Sequence, residues 1–367
     1  MTAPPSAGLF HLGLNSESAM PGNLIYDTNT LIQVVSNLKM AQSFLLDKFF
    51  TNMITADSEF VSIDVDVGKR RMSPFCSPLV EGKLVESRRY QTNTFKPPYI
   101  KDKRAPDLRK PVRRMIGERI GGEVTPELRE QMNLEFELND QIDMLTRRLE
   151  WMAAQVLLTG TLTVSGEGFP TTVIDFGRDG SLTVALTGGA QWTQANITAG
   201  TASPTTVIEA WQQAILKSSG ANVTDIVFTP KAWNGFKLDP VLKGAQFYPA
   251  LAPFGNALDL GARNERGAVH KGRWGQFDLW LYNDWFVDDN NVEQPMLPDG
   301  SLIMSGPDLD GTRAFGMIED PAFNYASLPF APKTWLKDDP AQRFLMMQSA
   351  PVIIPSRVNA ALAATVA

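Results

Sequence analysis

Cysteine and histidine are scarce in this chain. Its 367 residues include one cysteine, Cys76, and two histidines, His11 and His270. A single cysteine cannot form an intrachain disulfide, so a secreted, disulfide-stabilised scaffold is excluded and a reducing compartment is expected. A zinc site would require all three of these residues to converge, and we therefore predict neither a metal nor another cofactor.

Signals for membranes and for catalysis are also missing. No apolar run approaches the ~18–20 residues that a membrane-spanning helix needs. The first basic residue is Lys39, so the chain lacks the basic opening of a secretory signal peptide. The sequence contains no GxxxxGK(S/T) phosphate-binding loop, no HExxH zinc motif and no GxSxG nucleophile motif. We therefore expect a protein that is not an enzyme, does not enter membranes and stays in the cytoplasm.

One segment partly resembles a calcium-binding loop. Asp308, Asp310 and Glu319 stand at the first, third and twelfth positions of such a loop. Gly311 falls at the fourth position, however, and Arg313 occupies the sixth, where the loop needs glycine. We interpret the segment as a turn.

The charges are distributed unevenly. The formal net charge is −6, but residues 69–114 carry 14 basic and four acidic residues (+10), and the rest of the chain carries −16. The same segment has six prolines, which favour edge strands and extended loops. It is either a solvated loop or an arm that lies on an acidic partner surface, such as another copy of this chain. The residues assigned to that contact are Lys69, Arg70, Arg71, Arg88, Arg89, Lys101, Lys103, Arg104, Arg113 and Arg114.

A long helix is the clearest element of secondary structure. Thr125 can cap it, Pro126 suits its first turn and Gly160 is a stop signal. From Leu138 the apolar residues recur at steps of four and three, which keeps one stripe on one face. Residues 126–158 would span ~50 Å at the rise of an α-helix. A coiled-coil arm is the alternative, but the heptad run is short, and we predict a helix that lies across a sheet.

The N-terminal region predicts an arm followed by a helix and a strand. Residues 1–30 are rich in Pro, Gly, Ala, Ser and Asn and have no clear period. A helix is then predicted from about Thr30 to Met53, because apolar residues follow a mixed helical spacing. These residues are Leu31, Val34, Val35, Leu38 and Leu45. Alternation over Glu59–Val67 predicts a strand with one buried face.

From about Pro204 the pattern becomes α/β. A helix opens at Pro204 and closes at Gly220, and a strand at Ile226–Phe228 is followed by a short helix at Pro230–Phe236. Residues 240–270 are rich in Gly and Pro and are interpreted as loops. Further short strands are predicted at Phe277–Tyr282, Trp285–Val287, Ser301–Met304, Phe344–Gln348 and Val352–Ile354.

Five strings in a fixed order carry a resemblance to a known family. Residues 159–178 read TGTLTVSGEGFPTTVIDFGR, and residues 226–236 read IVFTPKAWNGF. MLPDGS follows at 296–301, WLKDDP at 335–340 and MQSAP at 347–351. From about Leu31 to the C-terminus, the chain resembles the lambda-type phage major capsid proteins (the major capsid protein E family), which have the Hong Kong 97-type capsid fold.

The resemblance implies an α+β fold of five parts. These are an N-terminal arm (residues 1–58), an extended β-hairpin or extension loop (59–115), a peripheral domain (116–204) with a long spine helix (125–159) on a small sheet, a compact α/β axial domain (205–345), and a C-terminal strand and tail (346–367). In this family the extension loop crosses onto the adjacent subunit, and the axial domains gather around symmetry axes. No catalytic residue comes with the resemblance.

The resemblance also implies a function and partners. The chain would assemble in the host cytoplasm into the hexamers and pentamers of an icosahedral virion shell. That shell would enclose packaged double-stranded DNA without binding it specifically. Scaffolding and portal proteins, and a decoration protein, would be further partners. Another phage structural protein, such as a tail or portal component, and a cytoplasmic enzyme of unrecognised class stay open as alternatives.

Overall fold

Helices and short strands alternate along the chain. The computed structural model describes residues 43–56, 58–66, 72–82, 84–85, 90–106, 125–166, 168–242, 263–265, 267–288, 290–339 and 342–367. The α-helices of these residues are α1 (Phe44–Phe49), α2 (Pro126–Thr159), α3 (Gln194–Thr198), α4 (Pro204–Ser219) and α5 (Pro230–Phe236). Their strands are β1 (Asn52–Thr55), β2 (Val61–Asp66), β3 (Tyr90–Phe95), β4 (Ile100–Arg104), β5 (Thr161–Gly166), β6 (Phe169–Asp175), β7 (Thr183–Ala185), β8 (Asp225–Phe228), β9 (Arg263–Glu265), β10 (Ala268–Trp274), β11 (Phe277–Tyr282), β12 (Trp285–Val287), β13 (Glu293–Pro295), β14 (Ser301–Ser305), β15 (Gly311–Phe315), β16 (Ala331–Lys337), β17 (Gln342–Ser349), β18 (Pro351–Pro355) and β19 (Leu362–Thr365).

A seven-stranded mixed sheet lies at the centre of the largest core. Its strand order is β7-β19-β14-β8-β11-β10-β9. Every residue of β8 and β14 is buried, as expected for short strands with an apolar centre that are covered on both faces. Because β7 and β19 come from residues 183–185 and 362–365, the sheet reaches beyond residues 205–345, which the sequence assigned to the axial domain. The division into five parts stays a prediction.

The long helix α2 spans two cores. Its first half packs on the sheet β16-β17-β4, and its second half enters the large core. The side chains of the first contact are Leu134, Leu138, Ile142 and Leu145, against Leu345 and Met347. Those of the second are Leu149, Met152, Ala153, Val156 and Leu157. The prediction of a helix across a sheet is confirmed, and the coiled-coil alternative is wrong.

The C-terminus of α2 is capped by a side chain from the hairpin that follows it. Gly160 ends the helix in the left-handed conformation, with φ 72°. The guanidinium of Arg178 donates hydrogen bonds to the carbonyls of Leu157 (2.8 Å), Leu158 (3.1 Å) and Val156 (3.1 Å). The carbonyl of Val156 also accepts the N–H group of Gly160, whereas those of Leu157 and Leu158 belong to the last turn, where the helix itself supplies no donor. A cation there also meets the negative end of the helix dipole. The capping role gives a physical reason for the DFGR string.

Two three-stranded sheets and three hairpins complete the described architecture. In the sheet β1-β15-β18, β1 is parallel and β18 antiparallel to β15. The sheet β16-β17-β4 is antiparallel throughout. It therefore joins β4, in the C-terminal part of the predicted extension loop, to strands near the C-terminus. The hairpins are β2–β3, β5–β6 and β12–β13.

The helix predicted from Thr30 to Met53 is wrong at its C-terminal end. The helix α1 ends at Phe49, and Asn52–Thr55 form β1. Parallel pairing with β15 gives this backbone the hydrogen bonds that a continued helix would have supplied internally. Residues 30–42 lie outside the described residues.

The loop predicted for residues 240–270 is also wrong in part. Ala268 begins β10, which pairs with β11, and Arg263–Glu265 form β9. The register of the β10–β11 pairing shifts between His270 and Gly272, so the side chains of β10 do not alternate regularly between the two faces. A strand with this irregularity lacks the strict alternation of apolar and polar residues by which strands are predicted. The calcium-like segment begins with a turn at Pro307–Leu309, as predicted, but the strand β15 already starts at Gly311, the fourth position of the segment.

Replacing Gly160 with alanine should destabilise the chain more than the same change at Gly177. Both glycines have a positive φ, where a Cβ costs about 1–2 kcal/mol. A Cβ at Gly160 would lie 2.5 Å from the Cβ of Arg178, whereas a Cβ at Gly177 would meet no atom within 4 Å. Urea unfolding should therefore show a further loss of about 1–3 kcal/mol for G160A. Equal losses in the two variants would show that the Arg178 cap moves aside without cost.

Candidate assembly interface

The base of the extension loop is fixed to the body of the chain. The strands β2 and β3 pair in antiparallel register. Next to β3, the Nζ atom of Lys96 lies 2.8 Å from a carboxylate oxygen of Glu319 and 2.9 Å from one of Glu59. The hydrogen bonds to Glu319 and Glu59 raise the pKa of Lys96 above its usual range. This lysine therefore links the two sides of the hairpin to the segment that precedes β16.

The tip of the extension loop exposes large apolar side chains. Six of them lie in the described residues between 72 and 85: Met72, Phe75, Leu79, Val80, Leu84 and Val85. Phe75 reaches an exposure of 103%, the level of an unfolded chain. Cys76, beside it, is exposed as well. A cluster of this kind marks an interaction site in a soluble protein, so the tip is a candidate contact with another molecule.

Seven of the ten basic residues assigned to an intersubunit contact lie outside the described residues. They are Lys69, Arg70, Arg71, Arg88, Arg89, Arg113 and Arg114. The other three, Lys101, Lys103 and Arg104, lie on β4. The intersubunit role of all ten stays a prediction.

Arg104 binds carboxylates within its own chain. Its Nη1 atom lies 2.6 Å from Asp140 and 3.1 Å from Glu137, both on α2, and its Nε atom lies 3.4 Å from Asp102. Its Nη2 atom lies 2.9 Å from the sulfur of Met144. A partly buried guanidinium among three carboxylates forms strong, directional hydrogen bonds. Arg104 thus fastens β4 to the long helix.

Lys101 and Lys103 point to the opposite face of the same sheet, since side chains alternate along a strand. The Nζ atom of Lys103 lies 4.1 Å from the ring centroid of Phe344 and 5.4 Å from that of Trp335. The Nζ atom of Lys101 lies 5.0 Å from the ring of Tyr99. Both lysines stay exposed. This face offers cations on an aromatic surface, which another molecule can reach.

A buried carboxylate joins three parts of the chain. Glu150 of α2 accepts hydrogen bonds from the backbone N–H groups of Leu45 and Leu46, each at 2.8 Å. It also accepts one from the hydroxyl of Tyr282, at 2.9 Å, where β11 ends. Leu45 and Leu46 belong to the first turn of α1, and the side chain of its N-cap residue, Ser43, does not cap it. The long helix therefore supplies the missing cap of α1.

The remainder of α1 is anchored as well. The Nζ atom of Lys48 lies 3.0 Å from a carboxylate oxygen of Asp225 on β8 and 4.8 Å from the ring centroid of Trp280 on β11. Arg313 of β15 donates a hydrogen bond to the carbonyl of Phe50 at 2.6 Å. A helix of six residues is not stable alone in water. These contacts fix the position at which residues 1–42 join the body.

Within the part of the chain that the structure describes, no three or more His, Cys, Asp or Glu side chains are placed to hold a metal ion. His270 lies 3.7 Å from Asp278, with its ring centroid 4.7 Å from that of Trp280. His11 lies outside the described residues. The helices of this part are also too short or too polar to span a membrane.

Comparisons with known proteins place the chain in a family. The family model of the phage major capsid protein E matches residues 27–366. The chain belongs to the phage major capsid protein E family. The major capsid protein of Escherichia phage lambda is 28% identical over 323 residues, which cover 85% of this chain and 92% of that protein. The major capsid protein of Escherichia phage N15 is 27% identical over 343 residues, which cover 90% and 96%.

Solved structures agree with this family. A prophage capsid protein of E. coli CFT073 matches with a TM-score of 0.68 at 18% identity, covering 93% of this chain and 99% of its own. The capsid of Ralstonia phage GP4 matches with a TM-score of 0.51 at 14% identity, covering 98% and 97%. At such identities the likeness shows the fold. The predictions of a lambda-type major capsid protein and of an α+β capsid fold are confirmed.

Sequence reasoning missed the junction around Glu150. The only signal was an acid placed among the apolar residues Leu149, Trp151 and Met152 of a helix that is otherwise amphipathic. Arg313 was noticed only because it disturbed the calcium-like spacing. Its position inside the buried strand β15 is a similar signal, because a charged residue in such a strand needs a partner.

The junction should make stability depend on pH. Burial raises the pKa of the Glu150 carboxyl to about 7, although three donors and the first turn of α1 favour its charged form. The folded chain therefore binds this proton more tightly than the unfolded chain does. The contribution of Glu150 to the free energy of unfolding is complete below pH 4.5 and is lost as the pH rises through 7. Urea unfolding should show a loss of up to about 3 kcal/mol from this group between pH 4.5 and pH 8.

Glu150→Gln removes the titrating group and tests the assignment. The amide keeps one acceptor oxygen, but its NH2 group faces one of the backbone N–H groups of α1. The substitution should therefore lower the free energy of unfolding by about 1–3 kcal/mol at pH 5.5. Its unfolding free energy should then change less between pH 5.5 and pH 8 than that of the parent chain. Glu209→Gln, at an exposed position on α4, is the matched control and should leave the pH profile unchanged. If E150Q keeps the parent profile, the titration belongs to another group.

Proposed function

We propose that this chain self-assembles into the hexamers and pentamers of an icosahedral shell that encloses the double-stranded DNA of a tailed phage. The match to the major capsid protein E family over residues 27–366 supports this most strongly. The subunit acts through contacts with its own copies and performs no catalysis. Assembly takes place in the host cytoplasm, and the product is the virion capsid.

The extension loop supplies the contact between copies. A six-residue hairpin such as β2–β3 extends for about 20 Å, and the exposed tip lies beyond its far end. Large apolar side chains at a tip gain stability only when a surface covers them, at about 1.5–3 kcal/mol for each fully buried side chain. A neighbouring subunit offers that surface in a closed shell.

Charge supports the same contact. The loop segment 69–114 carries +10 and the rest of the chain −16, so each copy can attract another. One exposed ion pair contributes only ~0–1 kcal/mol, but repeated pairs steer the approach of subunits and set their register. Because salt screens such pairs over ~8–10 Å, shell yield should fall as ionic strength rises.

Membership of the family suggests further partners. A scaffolding protein would guide curvature during assembly, a portal protein would occupy one vertex, and a decoration protein would bind the outside. The negative charge outside the loop suits an inner wall that encloses DNA without specific binding.

Negative-stain microscopy of the expressed protein, alone and with its scaffolding protein, tests the proposal. We expect closed icosahedral particles in at least one of the two preparations. Tubes, or a subunit that stays monomeric in both, would contradict shell formation and favour a tail or portal component.

Charge reversal at Arg88 and Arg89 should lower the yield of shells. The variant R88E/R89E changes the net charge of the loop by four units, so the loop should be attracted less to the acidic surface of a neighbour. Sedimentation should show fewer shells, while the urea midpoint of the free subunit stays the same. The variant R88K/R89K keeps the charge and should assemble as the parent does. Normal shells from R88E/R89E would contradict the electrostatic contact.

DNA contact is the rival role for the basic loop, since Lys and Arg also bind phosphates. Filter binding of the soluble subunit to duplex DNA separates the two at ~0.15 M salt, where weak phosphate contacts are screened. The assembly role predicts no retention of DNA. Retention that R88E/R89E abolishes would favour the DNA role.

A further inference from the structure

Both stems of the extension loop contact the same short segment of the body, residues 315–320, which we call the seat. On the N-terminal side, the backbone N–H group of Ala56 donates a hydrogen bond to the carbonyl of Phe315 at 2.9 Å. On the C-terminal side, the Nζ atom of Lys96 lies 2.8 Å from a carboxylate oxygen of Glu319. Two anchors on one segment restrict the directions in which the loop can leave the body.

The closest approach between the loop and the seat is at Gly316. A Cβ atom at this position would lie 2.8 Å from the Cγ atom of Pro97, which is too close for two carbon atoms. Pro97 and Pro98 are both buried, and their rings fix φ. A residue before proline is restricted to extended conformations, so Lys96 is restricted as well. The missing side chain at Gly316 therefore lets a stiff part of the loop lie directly on the seat.

A buried chain of hydrogen bonds follows the two prolines. The hydroxyl of Tyr99 donates to Oε1 of Gln348 at 2.8 Å, and Nε2 of Gln348 donates to a carboxylate oxygen of Asp320 at 3.0 Å. Gln348 is only 1% exposed, and a hydrogen bond at such a position is costly to leave unmade. The ring of Tyr99 also packs on the buried cluster that contains Ile318. This anchor gives a physical reason for the glutamine of the MQSAP string.

The seat is itself fixed to the body. The backbone N–H group of Gly316 donates to the carbonyl of Ala350 at 2.8 Å. The side chain of Ile318 is fully buried. The Nζ atom of Lys333 on β16 lies 2.8 and 2.7 Å from the two carboxylate oxygens of Asp320. A loop held on these residues therefore takes its direction from the body of the subunit.

The two ion pairs of Lys96 differ in what they connect. Glu319 belongs to the seat, whereas Glu59 lies on the other stem of the loop, 2.9 Å from Lys96. Their side chains are similarly exposed, at 48% and 51%. The two carboxylates thus share their chemistry and their exposure, but only the pair with Glu319 joins the loop to the seat.

We propose that residues 96–99 are the pivot of the extension loop, and that Gly316, Glu319 and Gln348 are positioning residues that hold the loop in one direction in the free subunit. The seat then fixes where the apolar tip points before two subunits meet. A preset direction lowers the cost of ordering the loop when copies associate. This consequence for assembly rests on the proposed function, whereas the direction of the loop in the free subunit does not.

Distances between two nitroxide spin labels, measured by electron paramagnetic resonance in the full-length free subunit, test the direction of the loop. Cys76 is exposed and is replaced by serine, so that only introduced cysteines carry labels. One label is placed at Asp66, the far end of β2. The other is placed at Glu209 of α4 or at Val173 of β6, two exposed positions of the body. We expect one narrow distance distribution for each pair.

Gly316→Ala should change the direction of the loop. The added methyl group must push Pro97 away by about 1 Å to restore ordinary contact. A hairpin about 20 Å long enlarges this movement to about 3 Å at Asp66, so at least one of the two distances should shift. Gly180→Ala is the matched control, because a Cβ atom there meets no atom within 4 Å and neither glycine has a positive φ. G180A should keep the distances of the parent chain.

Charge reversal tests the ion pair without a buried substitution. Glu319→Lys repels Lys96 from the seat and should broaden both distance distributions. Glu59→Lys makes the same change in net charge but keeps the pair between Lys96 and Glu319, so its distributions should stay narrow. Both positions are exposed, and urea unfolding should show that both variants fold.

Shell yield separates the pivot from the proposed function. Sedimentation should show fewer shells from G316A than from G180A. Unchanged distances in G316A, or equal distributions in E319K and E59K, would overturn the pivot even if the parent chain forms shells. Shifted distances with a normal shell yield would overturn its role in assembly. A parent chain with narrow distributions that forms no shells would contradict the proposed function and leave the pivot in place.

Discussion

The hydrogen bonds of Glu150 are the interaction on which the rest of this subunit depends. One carboxylate caps the first turn of α1, belongs to the long helix α2 and accepts the hydroxyl of Tyr282 at the end of β11. It lies in the large core, where a polar group without hydrogen-bond partners is costly, so each of the three donors stabilises this arrangement. Lys48 and Arg313 extend the same junction to β8 and β15. The point at which the N-terminal arm enters is therefore fixed to the helix and to both neighbouring sheets.

Two further contacts hold the base of the extension loop, which we propose serves assembly. Arg104 fastens β4, in the C-terminal part of the extension loop, to α2, and Lys96, directly after β3, binds Glu319. The loop therefore begins from a defined base while its tip presents apolar side chains to solvent. A shell protein needs both a fixed base and an exposed tip. Contacts between copies produce a closed shell only when each contact surface is held at a fixed angle to the body of its subunit. In the proposed assembly, the uneven charge of loop and body would add attraction between copies that does not depend on close packing.

Sequence reasoning predicted the elements whose signals are local. The caps and the stripe of α2, the helix after Ser203 and the apolar strand β8 all follow from short-range patterns, and the order of five strings indicated the family. Elements that depend on distant partners were predicted poorly. Asn52–Thr55 became a strand because β15 lies beside it, and Leu362–Thr365, rich in alanine, became a strand of the large sheet because β14 offers a free edge. The Glu150 junction joins residues more than 100 positions apart, and no local pattern reports such a contact.

The central claim is that a rigid body, held at the Glu150 junction, presents a loop tip that another copy covers. Hydrogen–deuterium exchange of the free subunit and of assembled shells tests both halves of this claim. In both states the amides of Leu45 and Leu46 should exchange as slowly as those of the second half of α2. The amides of residues 72–85 should exchange fast in the free subunit and slow by on the order of 100-fold in shells, as burial of one or two large apolar side chains would produce. Fast exchange at Leu45 and Leu46, or equal exchange of residues 72–85 in the two states, would contradict the account.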